Sequence, residues 1–525
     1  MTPNGQLAAA TLGLLEGLGV KNYIVCAGAR NAPLVTSLLA GGETKGLSVW
    51  HHFDERAAAF FALGLAKRNG EPTAVLTTSG TAAAELLPAA IEAYYSGIPL
   101  VLVTADRPER FRGSGAPQAI EQVGIFGPYA LESDLDGTGE WTRDEPLHFN
   151  LCFEEPSPDD RITEWGKVKL PEPEPCRASS ALAAGSDFCR DAERAVVLLG
   201  ELEEGGRSLV EGFLGKLRAP IWSESTSGLR ECEALADLLV RDEEQIAKYA
   251  PTHVLRIGGV PSLRYWRDLE TLPEIEVLSV TKRPFSGLAR DSTVLPLSRF
   301  SFAGAAEDER GWVDDPTGLS EGGSDVEQGA CPVFECRLAH EAGPAPYSMS
   351  SEVTHEQQAI AELSRHIPSE ALVYLGNSLP IREWNAAASI DIQHSHCFAS
   401  RGANGIDGQI ATFLGLSGGE PEAWGIFGDL TALYDLNAPA LLDQLAAGSR
   451  RIVILNNGGG RIFSRLPSMS GLTEAEKGVT ENRHSCRFNH WAAMWGMGYA
   501  AWKVGDEFPE IPEGNSVIEI LIDSE

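Results

Sequence analysis

Two polar segments near the carboxyl end of the sequence each follow an apolar run, and together they suggest cation chemistry. Residues 451–455 are predicted to form a buried strand that ends in NNGGG (456–460), and the preceding predicted strand ends in GD (428–429). In open α/β sheets, ligands bind beyond the carboxyl ends of the strands. Carboxylate and amide oxygens suit Mg²⁺, which also takes phosphate oxygens, and a helix starting after Asp429 offers N–H groups to a diphosphate. The two segments together predict a magnesium–diphosphate site, whereas the glycine segment alone is equally well explained as a turn.

The composition disfavours several classes of function. The chain has 525 residues, a formal net charge of −32 and a pI near 4.7, which disfavours nucleic acid and anionic membranes as partners. Nine scattered cysteines are typical of reduced thiols in a cytosolic protein. No apolar run reaches the ~18 residues that span a bilayer. Glu16 interrupts the apolar N-terminal segment and no basic residue precedes it, which predicts an amphipathic helix rather than a signal peptide. We expect a cytoplasmic protein.

The elements that must position these residues alternate between strand and helix patterns, which predicts an α/β protein with parallel sheets. The first block contains NYIVCAG and IPLVLVTAD, the second AERAVVLLGEL and THVLRIGG, and the third EAWGIFGD and RIVILNN. Acidic, Pro-rich stretches at about 132–182 and 303–352 are interpreted as loops or linkers. We predict three α/β domains over residues 1–182, 183–350 and 351–525, with the second acidic linker closing the middle domain.

The two strand ends resemble the GDG…NN diphosphate–magnesium motif of thiamine-diphosphate enzymes, with Leu430 in place of the last glycine. The resemblance implies that the three blocks are pyrimidine-binding, central and diphosphate-binding domains. The metal ligands that it implies are Asp429, the Asn457 side chain and the Gly459 carbonyl. The further cofactor contacts that it implies are Gly428, Leu430 and Thr431. Gly458 stands where many relatives carry Asp or Asn, but that side chain is not a ligand.

Thiamine-diphosphate enzymes also use a glutamate that hydrogen-bonds the aminopyrimidine ring. The segment HHFDERAAAFFALGLA offers Glu55 at the start of an almost wholly apolar helix. An apolar site allows a carboxyl group to exchange a proton with the ring without competition from water. A glutamate in the first turn can also simply complement the helix dipole. Together with the motif at 428–459, the catalytic interpretation is favoured.

The resemblance extends beyond the cofactor motif. Segments that occur in the order of one family are GARNAPL (28–34), TADRPE (104–109), GAPQAI (115–120), LGNSLPIRE (375–383), SRGANGIDG (400–408) and GDLTALYDLN (428–437). The chain is similar to the 2-succinyl-5-enolpyruvyl-6-hydroxy-3-cyclohexene-1-carboxylate (SEPHCHC) synthases over almost its whole length, most weakly across residues 157–350.

This resemblance implies a transferase of the transketolase type in menaquinone biosynthesis. It decarboxylates 2-oxoglutarate and adds the resulting succinyl carbanion to isochorismate. The implied cofactors are thiamine diphosphate and Mg²⁺ or Mn²⁺, and the implied assembly is a homodimer or homotetramer with active sites at the subunit interface.

Substrates with several carboxylates need fixed cations, and arginine can pair with a carboxylate through two hydrogen bonds. Arginines inside the matching motifs, at predicted strand ends or loops, are Arg30, Arg107, Arg382 and Arg401. A single arginine is more often a surface ion-pair partner. Further substrate contacts implied by the resemblance are Gln118, which is also a catalytic candidate, Asn377, Ser378, Arg264, Ile462 and Phe463. Ile406 matches the apolar residue that supports the bent cofactor.

Some positions depart from the family pattern, and two other functions stay open. Ala29 replaces the usual Ser, Pro117 replaces Asn and Leu263 replaces Lys, so that polar contacts are lost. One alternative is another thiamine-diphosphate-dependent 2-oxo-acid decarboxylase or carboligase, which would not need the arginines. The other is a non-catalytic homologue, which the intact Glu55, Asp429 and Asn457 disfavour.

Overall fold

The computed structural model describes residues 1–135, 141–170, 188, 192–297, 353–466 and 469–522. The chain divides into two compact units, one formed by residues 1–173, 371–381 and 399–525, and the other by residues 174–370 and 382–398. The predicted domain limits at 182 and 350 lie outside the described residues, so the domain boundaries stay a prediction. The predicted linker at about 303–352 also lies wholly outside the described residues.

The first block of the first unit is a parallel sheet with order β2-β1-β3-β4-β6-β5 in the described residues. Its strands are β1 Asn22–Val25, β2 Ser48–His51, β3 Thr73–Thr77, β4 Leu100–Asp106, β5 Leu131–Glu132 and β6 Leu147–Cys152. Its helices are α1 Pro3–Gly17, α2 Ala32–Gly41, α3 Glu55–Asn69, α4 Thr81–Ala84 and α5 Leu87–Ser96. The predicted α/β alternation of this block is confirmed.

The second unit carries another parallel sheet, with order β11-β10-β9-β7-β8 in the described residues. Its strands are β7 Ala195–Leu199, β8 Ile221–Ser223, β9 His253–Ile257, β10 Glu276–Thr281 and β11 Thr293–Pro296. Its helices are α6 Arg207–Leu217, α7 Glu243–Tyr249, α8 Arg264–Asp268 and, further along the chain, α9 His355–His366.

The third block completes the first unit. Its strands are β12 Leu372–Leu375, β13 Cys397–Phe398, β14 Glu422–Gly428, β15 Ser449–Asn456, β16 Gly498–Lys503 and β17 Ser516–Leu521. Of these, β13 is assigned to the second unit. Its helices are α10 Leu379–Ala387, α11 Gln409–Leu416, α12 Asp429–Tyr434, α13 Glu474–Thr480 and α14 Asn489–Met494. Within the first unit the described strands run parallel in the order β12-β14-β15-β17-β16.

Two details differ from the sequence-based expectation. The segment TAAAELLPAAIEAYYSG predicts one helix, but the structure has α4 and α5 because Pro88 has no N–H to donate to Ala84 and its ring crowds that carbonyl. The acidic stretch at 132–182 contains the buried strand β6, so in its described part it is more than a linker. No helix among the described residues is both long and apolar enough to cross a membrane.

Helix α3 carries Glu55 and begins where the sequence predicts. The Asp54 side chain accepts a hydrogen bond from the Ala57 N–H at 2.9 Å, and the helix ends at Gly70 in the left-handed conformation. Residues 57–66 are buried along their whole length. The helix is therefore a core element that holds its first residue in a defined place.

Helices α3 and α11 cross in backbone contact. A Cβ atom at Gly64 would lie 2.2 Å from the Thr412 carbonyl oxygen, and one at Gly415 would lie 2.2 Å from the Phe61 carbonyl oxygen. The buried carboxylate of Asp435 adds a polar link, because it accepts from Arg56 Nη1 at 3.0 Å and from the Gly408 N–H at 3.0 Å. The first and third blocks are joined along this seam.

Candidate active site

The carboxyl ends of β14 and β15 lie side by side, as the sequence predicts. The two strands are parallel neighbours, with Gly428 opposite Leu455 in the register. Asp429 is the first residue of α12, directly after β14, and Asn457 directly follows β15. The two residues therefore lie at the same edge of the sheet, where ligands of open α/β sheets bind.

The Asp429 carboxylate is buried at this edge. Its Oδ2 accepts from the Gly459 N–H at 2.9 Å, and its Oδ1 accepts from the Leu430 N–H at 2.7 Å. The Nε2 atom of His484 lies 3.4 Å from Oδ2. Burial raises the pKa of Asp429, and these N–H groups and the imidazole counteract only part of the rise. A carboxylate in this position gains from a bound cation.

The glycine loop that follows β15 has a conformation that other residues rarely adopt. Gly458 has φ 74° and Gly459 has φ 140°. A Cβ atom at Gly459 would lie 2.6 Å from the Glu481 carbonyl oxygen. The segment 481–486 holds the loop: the Gly460 N–H donates to the Glu481 carbonyl at 2.6 Å, and the His484 N–H donates to the Gly458 carbonyl at 3.1 Å.

The two asparagines have different environments. The Asn456 amide group donates to the Cys486 carbonyl at 2.9 Å and to the Glu519 carboxylate at 2.7 Å, and its Oδ1 accepts from the Gly458 N–H at 3.3 Å. Asn456 thus stabilises the glycine loop through its side-chain hydrogen bonds. Asn457, 9% exposed, accepts from Arg461 Nε at 3.1 Å through its backbone carbonyl.

The residues at this edge fit a divalent cation that binds a diphosphate. They offer a carboxylate, an amide oxygen and a backbone carbonyl, which are the hard oxygen donors that Mg²⁺ prefers. Among the described residues no group of three or more His, Cys, Asp or Glu could hold a metal. A cation at Asp429 would therefore complete its coordination with phosphate oxygens or water. Neighbouring Gly428 is half-buried and Thr431 is buried, at the start of α12.

Glu55 is half-buried at the first residue of α3, after the carboxyl end of β2. Burial raises the pKa of its carboxyl group, and the charges of Asp54 and Glu85 raise it further, against a hydrogen bond from its own backbone N–H. A raised pKa makes this carboxyl group easier to protonate than an exposed glutamate, which suits proton exchange with a ligand.

Two of the predicted arginines follow strands of the first sheet at their carboxyl ends. Arg30 is 8% exposed and donates to the Phe153 carbonyl at 3.2 Å and to the exposed Glu155 carboxylate at 3.0 Å. Arg107 directly follows β4, and its Nε is buried without a hydrogen-bond partner in the part of the chain that the structure describes. Gln118 is exposed, has φ 56° and lies against Gly80.

Arg401 belongs to the carboxyl edge of the third block. Its Nη1 donates to Asn377 Oδ1 at 3.0 Å, and its Nε is buried without a hydrogen-bond partner among the described residues. The Asn377 amide group in turn donates to the carbonyls of Ser400 and Gly405, both at 2.8 Å. Asn377 is thus the residue that ties Arg401 to its own loop.

The remaining predicted residues have simpler environments. Ser378 has φ 71°, and Ile406, Ile462 and Phe463 are half-buried in the first unit. Arg382 and Arg264 belong to the second unit. Arg264 is exposed, with its Nε 3.6 Å from Asp268. Their part in the site stays a prediction.

Sequence reasoning missed three residues that hold this site, Glu481, His484 and Glu519. Glu481 and His484 lie in ENRHSC, which carries no motif, and they shape the glycine loop only through tertiary contacts. Glu519 carried a signal, because it is a buried charge in the apolar strand SVIEIL.

The comparisons with known proteins agree with this geometry. Residues 6–125 match the family described as thiamine pyrophosphate enzyme, N-terminal TPP binding domain. A SEPHCHC synthase of Akkermansia muciniphila is 40% identical over 522 residues, covering 97% of this chain and 94% of that protein. One of Bdellovibrio bacteriovorus is 38% identical over 543 residues, covering 98% and 94%. One of Chloroflexus aurantiacus is 32% identical over 532 residues, covering 94% and 88%.

The chain belongs to the SEPHCHC synthase family. It is accordingly an enzyme that uses thiamine diphosphate, and the predicted family, fold class and thiamine diphosphate cofactor are confirmed, whereas the metal ion stays a prediction. The SEPHCHC synthase resemblance read from the motifs also holds across the second unit, since the matched lengths include it. Other thiamine-diphosphate decarboxylases lose support as alternatives.

Proposed function

We propose that this SEPHCHC synthase is a cytoplasmic transferase that removes CO₂ from 2-oxoglutarate. It then joins the remaining four-carbon fragment to isochorismate, giving 2-succinyl-5-enolpyruvyl-6-hydroxy-3-cyclohexene-1-carboxylate for menaquinone biosynthesis. The names of the relatives supply the product, and a single structural observation supports the substrate class. On a chain of net charge −32, Arg107 and Arg401 each keep a buried Nε without a partner among the described residues, at carboxyl edges of the two sheets of one unit.

A buried guanidinium donor without an acceptor favours the binding of an anion. Both substrates carry carboxylates, which cannot be desolvated in an apolar cleft unless cations pair with them. Arg30 and Arg107 from the first sheet and Arg401 from the third block provide such cations, and Arg382 is proposed to complete the set. Gln118, Asn377, Ser378, Arg264, Ile462 and Phe463 are proposed as further substrate contacts.

Thiamine diphosphate, when bound, supplies the carbon nucleophile and the electron sink for decarboxylation. We assign Asp429, the Asn457 side chain and the Gly459 carbonyl to Mg²⁺ or Mn²⁺, and Gly428, Leu430 and Thr431 to the diphosphate. Ile406 would support the cofactor. Glu55 holds the proton that it shares with the ring nitrogen of the aminopyrimidine. The raised pKa of Glu55 supports this part, because a carboxyl group that is protonated more readily is the better partner for that nitrogen.

The proposed assembly is a homodimer or homotetramer with active sites at the subunit interface. Large apolar side chains next to both halves of the cofactor site are exposed in the single chain: Phe53 is 68% exposed, Tyr434 54% and Leu436 42%. The Asn437 side chain contacts Asp54 at 2.5 Å, so these residues flank one contact. Exposed apolar side chains gathered in this way favour association of subunits.

The decisive experiment is an assay of the purified protein with thiamine diphosphate, Mg²⁺, isochorismate and 2-oxoglutarate. We expect loss of the isochorismate chromophore and release of CO₂ only when both substrates are present. Pyruvate should be a poor donor because it lacks the distal carboxylate. Turnover of pyruvate equal to that of 2-oxoglutarate would instead identify a decarboxylase-type relative and refute the named reaction.

A further inference from the structure

The loop that carries Arg401 is anchored by a carboxylate from the first block. Glu92 lies on α5 and is 3% exposed. Its Oε1 accepts from the Gly402 N–H at 2.8 Å, and its Oε2 accepts from the Ala403 N–H at 2.7 Å. Each carboxylate oxygen thus binds one of the two peptide N–H groups that directly follow Arg401.

The contact is too close to hold any residue but glycine at position 402. A Cβ atom there would lie 2.6 Å from the Glu92 carbonyl oxygen and 2.7 Å from Ser96 Oγ. On the other side of Arg401, Ser400 is fixed by Tyr374, whose hydroxyl lies 2.8 Å from Ser400 Oγ, and by Asn377. The backbone of Arg401 is therefore held from both sides, and Glu92 binds the two N–H groups that directly follow it.

The loop has room to move if this anchor is lost. A small cleft borders it, lined by Phe60, Pro88, Glu92, Ser400, Ala403, Gly405 and Asp407, and Ala403 and Gly405 are exposed. A loop with free space beside it relaxes when its hydrogen bonds are removed, and a displaced guanidinium pairs poorly with a carboxylate because the pairing is directional.

We infer that Glu92 is a positioning residue, which fixes the Arg401 guanidinium for a substrate carboxylate through the Gly402 and Ala403 N–H groups. This inference rests on the proposed role of Arg401. According to this inference, Glu92 strengthens the binding of an anionic substrate although it is itself acidic. Through space, the negative charge of Glu92 weakens anion binding, whereas through the loop it strengthens that binding.

The opposite signs of these two effects make the test sharp. Glu92→Gln removes the charge and leaves one acceptor for two N–H groups, and Glu92→Asp keeps the charge but shortens the reach. If Glu92 acts by positioning, both variants should lose about 10- to 100-fold in kcat/KM for the substrate that Arg401 binds. Thiamine diphosphate affinity, measured by calorimetry, should stay at the parent value. Tighter substrate binding in Glu92→Gln would overturn the inference.

A double-mutant cycle separates positioning from general damage to the fold. In an Arg401→Ala background, Glu92→Gln should change kcat/KM by no more than about twofold, because the group that it positions is already absent. If the kcat/KM loss of the double variant equals the product of the losses of Glu92→Gln and Arg401→Ala, the inference is overturned. Ser96→Ala is the matched control, because Ser96 Oγ donates to Glu92 Oε1 at 3.0 Å but, among the described residues, makes no hydrogen bond to the loop. It should behave like the parent.

Gly402→Ala tests the same contact from the other side. It keeps Glu92 and forces the loop away from α5, so it should reproduce the kinetic defect of Glu92→Gln. If Glu92→Gln does not fold, Glu92→Asp and Gly402→Ala decide by the same criteria. Normal kinetics in Arg401→Ala would refute the proposed role of Arg401. A defect in Arg401→Ala together with normal Glu92 and Gly402 variants would refute the positioning inference alone.

Discussion

The carboxyl edges of the first and third sheets differ in how far their polar groups are satisfied. At the third sheet, Asp429 accepts two N–H groups of its own block, and the glycine loop is hydrogen-bonded to the segment 481–486. At the first sheet, Arg107 keeps a buried Nε without a partner in the described part of the chain, and Gln118 is exposed. Asp429 and the glycine loop are preorganised by their own backbone, whereas Arg107 at the first edge, like Arg401 at the third, keeps an Nε donor for an acceptor outside the described part of the chain.

This difference corresponds to two kinds of ligand. A cofactor with a fixed diphosphate can be held by a rigid backbone cradle, since the same groups bind it in each turnover. Substrates must enter and leave, and their carboxylates are better paired by side chains that stay partly open to solvent. We expect substitutions at Asp429 and the glycine loop to abolish cofactor binding, and those at the arginines to impair substrate use.

The largest effect is expected at Asp429. The Asp429→Ala variant loses the carboxylate that we place on the metal, so Mg²⁺-dependent binding of thiamine diphosphate should be abolished in titration calorimetry. Glu422→Gln is the matched control, because it changes a carboxylate at the opposite end of the same strand, 3.7 Å from Arg451. It should bind the cofactor normally. Unchanged cofactor affinity in Asp429→Ala would contradict the metal assignment.

The second prediction is that Glu55 of one subunit and Asp429 of another form one active site. Glu55→Gln and Asp429→Ala should each be nearly inactive, but mixed subunits should regain up to about a quarter of the parent activity. With random exchange half of the dimers are mixed, and each mixed dimer has one intact site. Native mass spectrometry would verify the exchange. If exchange occurs and no activity returns, the two groups do not meet across an interface.

The third prediction concerns the arginines. Alanine substitutions of Arg30, Arg107, Arg382 and Arg401 should each lower kcat/KM about 10²-fold, or ~3 kcal/mol, since each removes one partner of a desolvated charge pair. Thiamine diphosphate affinity should not change. Arg110→Ala is the control, because Arg110 is exposed and pairs with Glu154 at 2.6 Å near the same edge. Arginine variants as active as Arg110→Ala would remove the contrast between the cofactor loop and the substrate-binding arginines.

The last prediction concerns the pH dependence of stability, rather than activity, at His148 on β6 of the first sheet. Burial lowers the pKa of His148 from 6.5 to about 4. Its Nε2 lies 2.8 Å from Thr104 Oγ1, its Nδ1 lies 4.0 Å from Glu132, and Phe126 contacts its ring. Because the folded state binds this proton less readily than the unfolded state, its contribution is fully present above pH 6.5 and is lost as the pH falls toward 4.

The check is urea unfolding at several pH values between 7 and 4, with ~0.5-unit steps to follow the linkage. His148→Gln should have a shallower loss of unfolding free energy over this range than the parent. The exposed His51→Gln serves as the control and should follow the parent curve. Parallel curves for the parent and His148→Gln would show that His148 does not titrate with folding.

The sequence predicts the parts of the site that local pattern determines. Strands β14 and β15, the start of α3 and the position of Asp429 follow from apolar runs and turn residues. The pattern could not distinguish Asn456, which supports the loop, from Asn457, because that division depends on Glu519 and Cys486 far along the chain. Glu92 was missed for the same reason, since its partners Gly402 and Ala403 lie in another block.

The backbone crossing of α3 and α11 restricts how relatives of this enzyme can be recombined. Gly64 and Gly415 each lie against a carbonyl of the other helix, so neither position can gain a side chain unless the whole pair moves. A chimera that takes the first block from one relative and the third block from another would combine an α3 and an α11 whose contact residues come from different parent sequences. The two helices should therefore be exchanged together, and functional hybrids should inherit α3 and α11 from the same parent.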